Sequence, residues 1–223
     1  MSKENIKKAS KDTKELATKL KEAFIEYVLE NGKEPVSVFH FTKSLKLKEA
    51  EFYDCFPNFI ALQKSIWKGF AAETIDRLHG EAAYENYSGR EKLLAFYFTL
   101  AEVLKNQKSY VDQSVAHFPK LNSHPPILDS FRTTFLEYVA KLLGESTETG
   151  EITNRPILSD RYSDLLWIHL LFILKYWTED TSEAFEKTDV AIEKSVNLAF
   201  DLMGKSVVDS AFDFAKFLFE KKN

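Results

Sequence analysis

The sequence has little glycine and proline, and this scarcity limits its fold class. Seven Gly and six Pro among 223 residues are too few for the many turns that an all-β chain requires. Long amphipathic segments make up most of what remains, and they predict an all-α fold. Hydrophobic residues account for 44% of the chain and include 19 Phe, so a sizeable core can be buried.

Cysteine and long apolar runs are also scarce. Cys55 is the single cysteine, which excludes an internal disulfide and a cysteine-rich zinc site. The longest apolar stretch, residues 165–174, includes His169 and is too short to span a bilayer. The N-terminus is polar and has no apolar signal-peptide core. These absences predict a soluble, cytoplasmic protein without a membrane span.

Sequence motifs for catalysis or metal binding are absent as well. The chain has no H-E-x-x-H, C-x-x-C, G-x-S-x-G or phosphate-loop pattern. Its five histidines are scattered without the spacing of metal ligands. We therefore expect no enzyme activity, no cofactor and no metal site.

The net charge of −4 is unevenly distributed. Residues 1–68 contain 13 Lys and 10 acidic residues, which leaves 17 basic and 24 acidic residues in the remainder. The first 21 residues alone carry seven Lys against three acids. A basic end on an acidic body indicates an anionic partner, and a solvated Lys-rich tail is the alternative.

Three short helices are predicted near the N-terminus. The first covers about residues 12–30 and ends at Asn31-Gly32, which suits a left-handed C-cap. Ser37 is a plausible N-cap for a second helix over about residues 38–45. A third follows over about residues 48–56. Two short helices joined by a tight turn form a helix-turn-helix, whose second helix lies in the DNA major groove.

The C-terminal part predicts a helical bundle. Residues 165–177 are apolar nearly all round, so we expect that helix to be buried. The last two helices, ending with residues 206–220, carry more apolar surface than one face needs. This excess favours a homodimer interface over a lid on the chain's own core. We predict two domains, residues 1–57 and 58–223.

The stretch VSVFHFTKSLKLKEAEFYDCF, residues 36–56, resembles the DNA-binding module of the tetracycline-repressor (TetR) family. The matching positions are Val38, Phe41, Lys43, Leu47, Phe52, Tyr53, Phe56 and Pro57. The resemblance implies an all-α homodimer that binds a palindrome in double-stranded DNA through its N-terminal helices. It also implies a C-terminal body that holds a small ligand, so that the protein is a ligand-responsive transcriptional regulator.

Candidate site residues follow from this resemblance and from the aromatic pattern of the body. The DNA-binding candidates are Ser37, Lys43, Lys46, Lys48, Glu49 and Tyr53. The candidates for an apolar or amphiphilic ligand are Phe96, Phe98, Tyr110, Phe131, Phe135, Trp167 and His169. The dimer-interface candidates are Val196, Phe200, Met203, Val207 and Phe212. For the aromatic residues and His169, a place in a plain hydrophobic core remains the alternative.

The predicted helix-turn-helix departs from the family pattern in two ways. One lies in its turn, and the other lies in its third helix, about residues 48–56, which we call the reading helix because it would lie in the major groove. Lys46 stands where the turn of the family usually has Gly, so Lys46 is expected to be strained or the turn to differ. Glu49, Glu51 and Asp54 place three carboxylates on the helix that would face phosphates, and carboxylates repel phosphates. A single Glu is compatible with readout, because it accepts a hydrogen bond from cytosine.

A second resemblance keeps another function open. Residues 168–204 resemble the C-terminal region of the coenzyme-Q biosynthesis lipid-binding proteins, which share the TetR fold but hold a lipid. The shared pattern is an apolar helix, an acidic turn at Glu179-Asp180, and Phe185 before an amphipathic helix. On this alternative the chain binds a lipid or amphiphile and no longer binds DNA.

Overall fold

The computed structural model describes residues 3–116, 125–155 and 158–204, with side chains from residue 12 onward. The α-helices of these residues are α1 Lys3–Asn31, α2 Val38–Ser44, α3 Glu49–Tyr53, α4 Phe59–His79, α5 Gly89–Lys105, α6 Lys108–Val115, α7 Asp129–Glu148, α8 Tyr162–Glu179 and α9 Glu186–Met203. Four short 3-10 helices lie at Tyr84–Asn86, Pro126–Leu128, Ser159–Arg161 and Glu183–Phe185. No strand occurs in the described part of the chain, which confirms the all-α prediction. The predicted helix over 206–220 lies outside it.

The chain divides into two compact units. Unit 1 comprises Met1–Ala71 and Asn106–Phe131, and unit 2 comprises Ala72–Lys105 and Arg132–Asn223. The predicted domain boundary after residue 57 falls inside unit 1, between α3 and α4. No helix of the described residues is long and apolar enough to cross a membrane.

The first helix, α1, begins earlier than the sequence predicted but ends where it was predicted to end. The helix begins at Lys3 rather than near residue 12, because residues 3–11 contain no Gly or Pro and include four Lys, a good helix former. Its C-terminal end is as predicted. Gly32 has a φ of +66° and donates its N–H to the Val28 carbonyl over 2.9 Å, which is the left-handed C-cap that glycine favours.

Aromatic rings form the core of the helix-turn-helix. Phe41 of α2 lies at its centre, with ring centroids 6.1 Å from Phe24, 6.3 Å from Phe52 and 5.6 Å from Phe59. Phe24, Phe41 and Phe52 are completely buried, so α1, α2, α3 and the start of α4 share one core. Phe56 lies 6.0 Å from Phe52 and is also buried. The three pairs that Phe41 forms are edge-to-face, and such pairs stabilise a core beyond their buried area.

Of the two outcomes expected for the turn between α2 and α3, a different turn or a strained Lys46, the structure shows the second. Lys46 has a φ of +58°, the left-handed region that costs a non-glycine residue about 1–2 kcal/mol. Backbone hydrogen bonds hold it there, since Lys46 donates to the Lys43 carbonyl at 3.2 Å and Leu47 donates to the Thr42 carbonyl at 2.9 Å. The turn therefore keeps its tight form without glycine.

Replacing Lys46 by glycine tests this strain. Lys46→Gly removes the left-handed penalty and adds a smaller entropic cost, so the free energy of unfolding should rise by about 0.5–1 kcal/mol. Lys46→Ala is the matched control, because alanine also lacks the Lys charge but keeps the penalty. Urea denaturation of both variants checks the expectation. An equal gain in both would show that charge, not backbone strain, sets the effect.

In unit 2, α9 packs against α5 and α8. The C-terminal end of α9 is capped by Arg155, which is 8% exposed. Its guanidinium donates to the carbonyls of Leu202, Met203 and Gly204 at 3.1, 3.0 and 2.7 Å. A cation at this end also complements the helix dipole.

The expectation that the apolar helix would be buried on all sides is wrong. One face of α8, which includes Leu166, Leu170 and Leu174, is buried in unit 2. The other face exposes Leu165, Ile168 and Phe172 by 54%, 46% and 41%. The described part of unit 2 covers only one side of α8, and this leaves a stripe of large apolar side chains uncovered.

Candidate functional site

The six predicted DNA-binding residues lie together at the helix-turn-helix of unit 1, and all are exposed. Two of them have a clear local position. The Ser37 hydroxyl accepts a hydrogen bond of 3.1 Å from the His40 N–H and so caps α2 as predicted. Tyr53, at the end of α3, is 53% exposed and contacts Phe52 with its ring. The remaining four, Lys43, Lys46, Lys48 and Glu49, run from α2 through the turn to the start of α3.

The lysines of this surface are available to an anion. The Lys43 ammonium lies 5.7 Å from the centroid of the exposed Phe39 ring. Lys46 and Lys48 form no ion pair with any described residue. Three exposed ammonium groups within a turn and two short helices create a local positive surface on a chain whose net charge is −4.

One of the three carboxylates on the reading helix has a structural role. The Lys48 backbone N–H donates to Glu51 Oε2 at 2.8 Å, so Glu51 satisfies a backbone donor at the start of α3. Glu49 and Asp54 are exposed. The acidity that seemed to oppose DNA is therefore partly explained by capping of a five-residue helix.

The predicted ligand-binding aromatics do not share one site. In unit 2, Phe96, Phe135 and Trp167 are buried, with the Phe135 ring 5.3 Å from Phe96 and 6.1 Å from Trp167. Phe98 lies at the surface with 36% exposure. In unit 1, Phe131 is buried, with its ring 6.0 Å from that of Trp67. Ring packing of this kind is what the core alternative anticipated.

Tyr110 differs from the other candidates because it borders a cavity. This cavity lies in unit 1, has a volume of about 460 Å³, and is bounded by α1, α4, α6 and the segment from Pro125 to Ile127. Gln63 and Glu34 also line it, and the sequence analysis did not single them out. Gln63 is 6% exposed on the buried side of α4, and a polar residue on an apolar helix face is the signal that could have revealed it.

His169 joins three helices of unit 2 through hydrogen bonds. Its Nδ1 lies 2.9 Å from the Tyr97 hydroxyl of α5, and its Nε2 lies 2.7 Å from Ser195 Oγ of α9. Ser195 in turn donates to the Ala191 carbonyl at 2.5 Å. This geometry fits a neutral imidazole that accepts from Tyr97 and donates to Ser195. Burial lowers the pKa of His169 to about 4, which also favours the neutral form.

The low pKa of His169 predicts a loss of stability in acid. The unfolded chain has a His pKa near 6.5 and binds the proton first, so this contribution is present above about pH 6.5 and is lost as pH falls towards 4. We expect the loss to reach roughly 2–3 kcal/mol at pH 4. Urea denaturation between pH 4 and 7 measures it, with His169→Gln as a non-titrating control. The same pH dependence in both proteins would contradict the assignment.

Three of the five predicted dimer-interface residues are among the residues that the structure describes, and two are not. Val196, Phe200 and Met203 are buried within unit 2, at 0%, 1% and 5% exposure, and Arg90 lies 5.6 Å from the Phe200 ring. They belong to the inner face of α9. Val207 and Phe212 lie outside the described residues.

An exposed apolar surface on α8 and α9 was not resolved by the sequence. Leu198 and Leu202 of α9 are 59% and 52% exposed. Together with Leu165, Ile168 and Phe172 of α8 they form what we call the outer stripe. The two helices pack together, and the Tyr97–His169–Ser195 hydrogen bonds link them. Spacing by three or four residues within each helix was the available signal.

No cluster of His, Cys, Asp and Glu suited to a metal ion occurs among the described residues. Cys55 is half-buried, and burial, followed by the nearby Asp54 carboxylate, raises the pKa of its thiol. A raised pKa makes the thiolate scarce and the cysteine a poor nucleophile.

Similarity to known proteins agrees with this architecture. Residues 92–218 match the family described as tetracyclin repressor-like, C-terminal domain, while no curated protein matches the sequence significantly. A crystal structure from Syntrophomonas wolfei str. Goettingen, assigned to the TetR-family transcriptional regulators, has a TM-score of 0.66 and 19% identity over 87% of this chain and 98% of that one. At this identity the likeness concerns the fold alone. Because the family match covers more than half of the sequence, the chain belongs to the TetR family of transcriptional regulators.

Proposed function

We propose that the protein is a ligand-responsive transcriptional regulator that binds double-stranded DNA as a homodimer. The observation that carries the proposal is the exposed set Lys43, Lys46 and Lys48 on a well-packed helix-turn-helix. Phosphate contacts by lysine supply most of the affinity of such modules for DNA. In this proposal α3 enters the major groove, and α2 and the turn contact the backbone.

The acidic residues of α3 have a place in this proposal. Glu51 accepts a hydrogen bond from the Lys48 backbone N–H, so it has a structural role in α3 while its charge still repels phosphate. Glu49 is exposed at the start of α3, where a carboxylate can accept a hydrogen bond from a cytosine amino group. We propose that Glu49 contributes to sequence choice at a cost in non-specific affinity.

The proposed dimer forms through the outer stripe. Large contiguous apolar patches on a soluble protein usually mark interaction sites, and a second copy would provide the same patch across a twofold axis. The buried Val196, Phe200 and Met203 support this surface from below rather than contacting the partner. The two helix-turn-helix modules of a symmetric dimer would then bind the two halves of a palindrome.

Two lysine substitutions test the DNA-binding surface. Lys43→Ala and Lys48→Ala should each weaken binding to DNA fragments and lower the slope of log affinity against log salt by about one. A salt titration by fluorescence anisotropy measures both quantities. Lys141→Ala, at an exposed lysine of α7 in unit 2, is the matched control and should leave the slope unchanged. If all three variants bind alike, the DNA surface is misplaced.

Neutralising the carboxylates of α3 should have the opposite effect on DNA affinity. Glu49→Gln should raise affinity for non-specific DNA, because it removes a charge that repels phosphate. Glu51→Gln also removes a charge while glutamine still accepts the capping hydrogen bond, so non-specific affinity should rise there too without loss of fold. Unchanged affinity in both variants would argue against α3 facing DNA.

The dimer proposal is tested at Leu198. Leu198→Glu places a charge in the outer stripe and should convert the dimer to a folded monomer, because a buried unpaired charge is costly in the dimer and the site is 59% exposed without a partner. Sedimentation velocity and circular dichroism check mass and fold. Glu193→Lys changes the charge at an exposed residue of α9 outside the stripe and should stay dimeric. A dimeric Leu198→Glu protein would contradict the proposed interface.

The lipid-binding alternative is not favoured. Its resemblance lay in residues 168–204, and that segment falls inside the region matched by the tetracyclin repressor-like family. We propose that any apolar or amphiphilic ligand acts on DNA binding, with no catalytic step. By linkage, the ligand and DNA would then alter each other's affinity by the same factor.

A further inference from the structure

The cavity of unit 1 has the properties of a small-molecule site. Its volume of about 460 Å³ lies within the range of known ligand pockets, roughly 300–1,000 Å³. Phe24 and Val28 of α1 form part of an apolar wall, and Pro126 and Ile127 add to it. Such walls suit the apolar body of a ligand.

One polar group at this cavity has no hydrogen-bond partner among the described residues. Tyr110 lines the cavity and is 1% exposed, yet its hydroxyl makes no hydrogen bond. A buried hydroxyl without a partner is costly, and most buried polar groups in proteins are satisfied. The hydroxyl oxygen has no appreciable accessible surface, so a small shift of the Tyr110 side chain would let a bound molecule supply the missing hydrogen bond.

The other polar groups of the wall restrict the charge of that molecule. Gln63 donates from Nε2 to Glu34 Oε1 at 3.0 Å, which leaves its own carbonyl oxygen as an acceptor. The Glu34 carboxylate also acts on Tyr110, since burial and then this charge raise the pKa of the phenol. Lys33 and Glu34 both line the cavity and carry opposite charges. The wall therefore has no net formal charge, which favours a neutral ligand.

We propose that this cavity binds a small neutral amphiphile, whose apolar body lies against Phe24, Val28 and Ile127 and whose carbonyl oxygen accepts a hydrogen bond from Tyr110. The biological purpose of the site rests on the proposed ligand response. The site itself is a property of unit 1 and does not depend on DNA or on a second copy.

Acetophenone and α-methylstyrene provide a matched pair of probes. They have the same shape, but the carbonyl oxygen of the first is a CH₂ group in the second. In methyl NMR spectra of the full chain, both should shift the signals of Val28 and Ile127. Acetophenone should bind about fivefold to tenfold more tightly, as expected for one hydrogen bond to a buried group. Benzoate, the anionic analogue, should bind more weakly than acetophenone.

Tyr110→Phe isolates the hydroxyl. The variant should bind α-methylstyrene more tightly than acetophenone, because the acetophenone carbonyl would then be buried without a hydrogen bond. It should be at least as stable as the parent, because it loses only an unpaired polar atom. Tyr84→Phe is the matched control in unit 2. Its hydroxyl lies 2.7 Å from that of Tyr138, so this variant should lose stability and keep the preference for acetophenone.

Three results would overturn the proposal. The first is the absence of any shift at Val28 and Ile127 in the parent protein. The second is a preference for acetophenone that survives Tyr110→Phe. The third is a loss of stability in Tyr110→Phe, which would show that the hydroxyl already has a partner. Because these measurements use the free protein, failure here leaves the DNA and dimer proposals to their own tests.

Discussion

The hydrogen-bonded chain from Tyr97 through His169 to Ser195 is the constraint on which the arrangement of unit 2 depends. Because the Ser195 hydroxyl donates to the Ala191 carbonyl, a neutral imidazole donates to Ser195 and accepts from Tyr97. The chain links α5, α8 and α9, so it limits how far α8 can rotate against its neighbours. That rotation decides which apolar side chains enter the core and which remain outside. With Leu166, Leu170 and Leu174 facing the core of unit 2, Leu165, Ile168 and Phe172 lie on the exposed face of α8.

Local features of the fold could be predicted from the sequence because they depend on neighbouring residues. The left-handed Gly32, the capping Ser37 and the strained Lys46 each follow from backbone sterics or from a hydrogen bond within a few residues. The structure confirms the first two, and at Lys46 it shows the strained backbone, one of the two outcomes left open. The early start of α1 was missed, since residues 3–11 are polar and give no apolar periodicity to extend the helix.

Features set by distant contacts could not be predicted in the same way. The outer helices carry apolar residues on two faces, and periodicity does not say which face meets the chain's own core. The prediction therefore placed Val196 and Phe200 at an interface, while the structure buries them and exposes Leu198. The cavity of unit 1 is a similar case. It joins segments from α1, α4 and α6, so Tyr110 was recognised as an aromatic candidate, whereas its polar neighbours Glu34 and Gln63 were not.

The position of Gly32 and Glu34 means that a molecule bound in the cavity would also act on the loop that leads to α2. Both residues line the cavity, and the chain continues from them to Ser37, the cap of α2. An occupant would restrict the motion of this connecting loop before DNA is met. Because the bound molecule would already have ordered the loop, DNA binding would lose less conformational entropy. Communication of this kind requires no displacement of the reading helices.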